Sequence, residues 1–135
     1  MDMQDRQQIL DLISGYSYGY DGQDWDLFES LWADEAVLKG GPTTRRGPAE
    51  IVAGFRARRE RLAAEGVQTR HYQTNTLLSD AGGGRVMGRS LLLVAWQRAG
   101  EPAPVVRHTG VYTDEFFKTG AGWRIVSRTV DIDHD

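Results

Sequence analysis

The sequence contains no cysteine, which excludes several classes of protein at once. Disulfide frameworks, zinc sites built on thiolates, iron–sulfur clusters and thiol nucleophiles all need a side chain that this chain lacks. No stretch approaches the roughly 18 consecutive apolar residues of a membrane-spanning helix. The N-terminal sequence MDMQDRQQIL also lacks the basic and apolar segments of a signal peptide, so we expect a cytoplasmic protein without a membrane partner.

An excess of positive charge is missing as well, since 16 lysine and arginine residues stand against 19 aspartate and glutamate residues. The formal net charge of -3 does not favour nucleic acid or another polyanion as a partner. The sequence has no glycine-rich nucleotide motif, no P-loop and no pair of histidines at metal-ligand spacing. We therefore expect neither a cofactor nor a metal.

The chain does contain enough apolar residues for one globular domain over residues 1–135. In its N-terminal half, apolar side chains recur at the three- and four-residue steps typical of amphipathic helices. This spacing predicts a long helix over residues 4–20, a short helix over 24–32 that begins with a capping aspartate, and a third helix over 48–66. A short strand is expected over residues 34–41.

The C-terminal half is rich in valine, threonine and aromatic residues. Its four long runs are separated by the turn sequences AGGG, GEPAP and TGAG, and they predict a four-stranded antiparallel meander. Helices followed by a sheet are typical of the α+β class. A strongly bent sheet wrapped around helices would leave a cavity open at one end, and such a cavity is a small-molecule site.

Tyr16, Tyr20 and Asp21 lie where the first predicted helix ends. The two tyrosines are four residues apart, so both can lie on the buried stripe with their hydroxyls toward a polar interior. Alternatively, both are core aromatics whose hydroxyls bond to the backbone. Asp21 stands at a helix C-terminus, which is unfavourable for an anion. It is therefore either a solvated turn residue or a carboxylate kept for a function.

Two histidines lie on predicted strands. His71 is expected to share a strand face with Gln73 and Asn75, whereas Thr76 lies on the opposite face. The face of His108 is expected to include Val106, Gly110, Tyr112 and Asp114. Since imidazole titrates near neutral pH, each histidine is either a proton carrier directed at a ligand or a structural residue.

Arginines occur in two different settings. Arg128 alternates with apolar residues on the last predicted strand, where it lines a cavity or pairs with an acid at the cavity rim. Four more arginines lie on the third predicted helix with glutamates interspersed, a pattern that favours a solvated face over a phosphate site. These four are Arg56, Arg58, Arg59 and Arg61.

Four segments extend together over nearly the whole chain, namely YSYGYDGQDWDLFESLWADEAVL, GPAEIVAGFRA, RHYQTN and GVYTDEFFKTGAGWRIVSR. In these segments the chain resembles the SnoaL-like branch of the nuclear transport factor two-like superfamily, within the group that includes scytalone dehydratase and bile acid dehydratase. The resemblance implies a cone-shaped barrel of a strongly curved mixed sheet packed on three N-terminal helices, with a deep apolar pocket and often a homodimer.

In the dehydratases of this group, a tyrosine and an aspartate of the first helix act with a histidine of the sheet. The matching residues here, and the expected catalytic set, are Tyr16, Asp21 and His71. The expected substrate-binding residues are Tyr20, His108, Tyr112 and Arg128. The resemblance implies a cofactor-free dehydratase, cyclase or isomerase acting on a polyketide, terpenoid or steroid-like ring compound. The alternative is a module that binds such a molecule without catalysis.

Three positions depart from relatives of this fold. Val94 stands where the bile acid enzyme carries a further pocket aspartate, and Gly40 and Gly41 stand where ketosteroid isomerase carries its base. Steroid isomerase activity is therefore disfavoured.

Overall fold

The computed structural model describes residues 1–134, which form three helices and six strands of one sheet. The strand order is β2-β1-β6-β5-β4-β3. The helices are α1 (Met3–Asp21), α2 (Trp25–Ser30) and α3 (Pro48–Ala64). The strands are β1 (Trp32–Gly40), β2 (Thr43–Arg46), β3 (Val67–Gly82), β4 (Arg85–Arg98), β5 (Val105–Thr119) and β6 (Gly122–Ile132).

The sheet is mixed, because β3 to β6 form the predicted antiparallel meander and β1 runs parallel to β6. The prediction of an α+β fold with a mixed sheet packed on three helices is confirmed. The sheet does not close into a barrel within residues 1–134, since β2 and β3 are its two edges. Helix α3 packs against both edge strands and occupies the gap between them.

The second helix is shorter than predicted. It ends at Ser30, and Trp32 begins β1 instead of continuing the helix. The Leu31 carbonyl already accepts a hydrogen bond of 2.8 Å from the Ile125 amide of β6. Leu31 and Trp32 are buried in this strand-like connection, so their apolar character fits a helix and a strand equally well. Strand β2 was not predicted, since TTRR carries no apolar alternation.

Helix α1 continues through Gly19 to Asp21. Gly19 does not end the helix; it lets α2 approach, because a Cβ at this position would lie 3.1 Å from the Cβ of Phe28. Gly22 forms the C-cap. The continuous helix therefore carries Tyr16, Tyr20 and Asp21 as one rigid unit.

An irregularity in β3 changes the predicted strand faces. Asn75 has a φ of 55°, and the register with β4 shifts between Thr74 and Leu77. Beyond this shift the faces exchange. The prediction that Thr76 lies on the face opposite His71 is therefore wrong. Thr76 turns inward, where its hydroxyl lies 3.0 Å from that of Ser90.

A second irregularity lies in β5. Val94 pairs with His108, but the next residue of β4 pairs with Val106, so one residue of β5 has no counterpart. Val106 is consequently 63% exposed, whereas His108 lines an internal cavity. The prediction that Val106 and His108 share a face is wrong, because a strand bulge shifts the alternation by one residue.

The core lies between the helices and the inner face of the sheet, with Ile9, Phe28, Ile51, Phe116 and Ile125 completely buried. In the part of the chain that the structure describes, no helix combines the length and the apolar character needed to cross a membrane.

A substitution at Gly110 tests the close approach of β5 to β6. A Cβ at this position would lie 2.3 Å from the carbonyl oxygen of Asp131, so a side chain must push the backbone of β6 away. We expect Gly110→Ala to lower the free energy of unfolding by about 1–3 kcal/mol, measured by urea denaturation. Gly120→Ala is the control, because none of the described residues lies within 4 Å of its Cβ. Equal stability of the two variants would contradict this packing.

Candidate active site

A cavity of about 310 Å³ lies between α1, α3 and the inner face of the sheet. This volume is at the lower end of the range for small-molecule sites and fits a compound of one or two rings. Five of the predicted site residues line it, namely Tyr16, Tyr20, His71, His108 and Tyr112. The wall also includes the three positions that depart from relatives, namely Val94, Gly40 and Gly41.

The remaining two predicted residues, Asp21 and Arg128, are buried next to residues of the wall. Asp21 is 8% exposed and accepts a hydrogen bond from His71, since its Oδ1 lies 2.8 Å from His71 Nδ1. Two more donors converge on the same carboxylate, the His71 amide at 2.6 Å and the Thr69 hydroxyl at 2.8 Å. Asp21 is therefore not a solvated turn residue. It is a buried acceptor held in one orientation by β3.

The hydrogen-bond pattern assigns the proton of the neutral His71 ring to Nδ1, which donates to Asp21. The lone pair then lies on Nε2, for which residues 1–134 provide no hydrogen-bond partner. The imidazole packs against two phenol rings, with its centroid 5.0 Å from that of Tyr20 and 6.3 Å from that of Tyr16. In its neutral form the His71 ring thus carries the Nε2 lone pair and packs against two phenol rings.

The three tyrosines of the wall remain protonated at neutral pH. Burial raises the pKa of Tyr16 and of Tyr112, and it raises the pKa of Tyr20 to about 12. A hydrogen bond between Tyr16 and Tyr112 acts in addition, lowering the pKa of Tyr16 and raising that of Tyr112.

Tyr20 differs from Tyr16, because its hydroxyl forms no hydrogen bond with any residue of the described chain. Among residues 1–134, no backbone group is bonded to the hydroxyl of Tyr16 or Tyr20, whereas the alternative interpretation of the sequence required such bonds. The cavity therefore contains one phenol proton, that of Tyr20, that is not engaged by the described residues and that a ligand oxygen can accept.

Arg128 forms the predicted ion pair, with Asp114 as its partner. Two parallel hydrogen bonds of 2.7 and 2.9 Å join the two side chains, which are 0% and 1% exposed. The pair lies in the interior and not at the cavity rim. Its guanidinium carbon is 3.7 Å from the ring centroid of Tyr112 and 4.4 Å from that of Tyr16, so the cation stacks on both rings. Arg128 thereby holds the phenols in place instead of lining the cavity itself.

The prediction of a solvated face for the arginines of α3 is wrong for Arg59. This residue is 3% exposed, and its Nη1 donates to the carbonyl of Val67 at 3.1 Å. Arg58 is exposed on one side but also lines the cavity. The spacing of these residues on the helix gave no means of telling them apart, because their burial depends on where β3 crosses α3.

Sequence reasoning missed Arg45 of β2, which also lines the cavity. Its guanidinium carbon lies 5.7 Å from the ring centroid of Phe55. The side chain rests directly on the backbone of α3, because a Cβ at Gly54 would be only 1.9 Å from Arg45 Nη1. The pairing of an arginine with a helix glycine is set by tertiary packing and leaves no signal in the local sequence.

No group of three or more histidine, aspartate or glutamate side chains in residues 1–134 is arranged so that it could hold a metal ion.

The model of the SnoaL-like domain family matches residues 1–129 of the chain. The protein belongs to this SnoaL-like family. The resemblance drawn from the sequence is thereby confirmed. None of the curated proteins matches the chain.

Solved structures share the fold over almost the whole chain. ActVI-ORFA from Streptomyces coelicolor is 22% identical with a TM-score of 0.85, covering 96% of this chain and 98% of its own. Aln2 from a Streptomyces species is 23% identical with a TM-score of 0.86, covering 98% and 93%. The hexachlorocyclohexane dehydrochlorinase LinA-type3 from Novosphingobium barchaimii is 22% identical with a TM-score of 0.80, covering 96% and 86%. At these identities the likeness establishes the fold.

Removing one member of the buried ion pair tests its role in holding the site. Asp114→Ala leaves the charge of Arg128 uncompensated, and we expect the free energy of unfolding to fall by about 3–5 kcal/mol in urea denaturation. The double variant Asp114→Leu, Arg128→Met should recover most of this loss. Glu115→Ala, which breaks the partly exposed pair with Arg85, is the control and should cost less than about 1 kcal/mol. A loss for Asp114→Ala no larger than the control's would refute a buried, charged pair.

Proposed function

We propose that this protein is a cofactor-independent acid–base enzyme acting on a small, apolar, oxygenated ring compound. One observation carries the proposal. The His71 ring is fixed by the buried Asp21 carboxylate at 2.8 Å, and its other nitrogen is unengaged next to the phenols of Tyr16 and Tyr20. Family membership supports small-molecule chemistry, and a dehydrochlorinase among the similar structures supports an elimination reaction.

In the proposed reaction, His71 Nε2 removes a proton from the carbon next to a carbonyl group. Asp21 keeps the ring in the required tautomer and stabilises the imidazolium that forms. The electron pair of the broken C–H bond moves to the carbonyl oxygen, and the hydroxyls of Tyr16 and Tyr20 donate to the resulting enolate.

In the second half of the reaction, the electron pair of the enolate expels the leaving group. The enolate collapses, a hydroxyl group leaves from the neighbouring carbon, and the proton on His71 is transferred to it, so that water is released. The products are an unsaturated ketone and one water molecule. A cyclase or an isomerase would use the same proton abstraction, and dehydration is the member of this class that we propose.

A binding module without catalysis is the alternative function. Such a module would have the polar groups of its cavity paired with one another. Tyr112 and Arg128 are paired in this way, but His71 Nε2 and the Tyr20 hydroxyl are not bonded to any residue between 1 and 134. These unused groups favour the enzyme.

The proposed chemistry can be tested with 3-hydroxy-1-tetralone, a bicyclic β-hydroxy ketone that becomes 1-naphthol after loss of water. The naphthol is detected by its fluorescence. We expect His71→Ala to lower kcat by about 10²- to 10⁴-fold, since general-base catalysis contributes about that much. Asp21→Asn should lower kcat as well, because an amide neither orients the ring in the same way nor stabilises the imidazolium.

Matched controls are His134→Ala and Asp26→Asn, which alter the same residue types at exposed positions. Exchange of the C2 protons of 1-tetralone in deuterium oxide, followed by NMR, isolates the first step. If both His71→Ala and Asp21→Asn retain full turnover and exchange, the proposed roles are wrong.

We also propose a homodimer formed through the outer face of the sheet. Most of the exposed large apolar side chains lie on β3, β4 and β5. Leu91 and Leu93 alternate with buried residues along β4, and Tyr72 of β3 pairs with Leu93, which places the three on one surface. A second copy of this chain is the expected occupant, because homodimers across the sheet are implied by the resemblance to this family.

Sedimentation velocity tests the dimer. We expect the wild type to sediment as a dimer and Leu91→Asp as a monomer, because the new carboxylate would be buried without a partner. Met3→Asp introduces the same charge at an exposed position of α1 and should remain dimeric. A monomeric wild type, or a dimeric Leu91→Asp, would contradict this interface.

A further inference from the structure

The cavity has a positively charged mouth formed by Arg45 of β2 and Arg58 of α3. Both line the cavity, and Arg58 is exposed, so this is where the cavity meets solvent. Neither guanidinium forms an ion pair or donates a hydrogen bond to another residue of the 1–134 segment. Arg56 on the same helix is different, because its Nε is 2.9 Å from Glu60.

No aspartate or glutamate of the described chain lines the cavity, although the protein has a formal net charge of -3. The two unpaired cations therefore face a wall without a compensating carboxylate. The charge of Arg58 acts on a residue of the wall, since it opposes the rise in the pKa of Tyr20 that burial causes. An anion entering the cavity would be attracted at its mouth, and the acid nearest to the wall, Asp21, has its carboxylate engaged by Thr69 and His71.

The Arg45 side chain is held in position before any ligand arrives. It packs over the ring of Phe55 and fills the space that a side chain at position 54 would need. A guanidinium that is already oriented loses little conformational entropy when it binds an anion. Its planar donors match the geometry of a carboxylate or a phosphate.

We propose that the substrate carries an oxyanion, namely a carboxylate on the ring compound, which Arg45 and Arg58 bind at the mouth of the cavity. The inference rests on the proposed function for the identity of the reacting end, which lies at His71. The two arginines then fix a second part of the molecule, and the distance between the two sites selects which carbon is placed next to Nε2. A phosphate group is the other oxyanion with this chemistry, and the experiment distinguishes the two.

Binding of three naphthalene probes, measured by isothermal titration calorimetry, tests this site without turnover. The probes are 2-naphthoate, its neutral counterpart 2-naphthamide, and 2-naphthyl phosphate. We expect the wild type to bind naphthoate about 10-fold or more tightly than naphthamide, because a charge-assisted pair of hydrogen bonds is worth at least this factor. The double variant Arg45→Gln, Arg58→Gln should lose this preference. A phosphate probe that binds more tightly than naphthoate would assign the oxyanion to a phosphate group.

Two further variants separate the effect of where the Arg45 guanidinium lies from the effect of the positive charge on α3. Gly54→Ala should displace the Arg45 guanidinium and reduce the preference for naphthoate while keeping every charge. Arg61→Gln removes an exposed arginine of α3 that does not line the cavity, and it should keep the wild-type preference.

Equal affinities of the wild type for naphthoate and naphthamide would overturn the oxyanion site, as would failure of naphthoate to bind at millimolar concentration. A preference that persists in the double variant would overturn the assignment to Arg45 and Arg58. None of these outcomes bears on proton transfer at His71, because binding is measured without reaction. Conversely, a charge preference in a protein that shows neither dehydration nor proton exchange would support the oxyanion site and refute the proposed function.

Discussion

The carboxylate of Asp21 connects the first helix to an edge strand of the sheet, and the geometry of the candidate site depends on this connection. An anion at a helix C-terminus is disfavoured by the helix dipole. Three donors from β3 offset this cost, two of them from His71 itself. The same contact therefore docks the strand on the helix and aligns the imidazole, so the site cannot be assembled unless the two elements pack correctly.

A second interaction fixes the other side of the cavity. The ion pair of Arg128 and Asp114 is completely buried, and its cation lies against the faces of Tyr16 and Tyr112. A buried charge is costly unless it is paired, and the bidentate geometry satisfies most of this need. The result is a rigid support under the phenols. Tyr16 and Tyr112 are thereby held next to each other, with their ring centroids 5.6 Å apart.

The sequence predicted the helices and the meander, because each of these depends on local spacing. Tyr16 and Tyr20 share a helix face at any tertiary arrangement. The pairing of His71 with Asp21 came from the resemblance, since residues 50 positions apart have no local relation.

Other features depend on partners distant in the sequence and were missed. The bulges near Asn75 and in β5 arise from pairing with β4, and they alter which side chains face inward. Trp32 has the same apolar character in a helix and in a strand, so the end of α2 was misplaced. The position of Arg45 depends on the absence of a side chain at Gly54, on a different element.

The open sheet places different parts of the cavity wall on different elements. Asp21 and His71 lie on α1 and β3, whereas α3 contacts both edge strands and contributes Phe55 and Arg58 to the wall. Substitutions on the inner side of α3 can thus alter the shape of the cavity without touching the contact between Asp21 and His71.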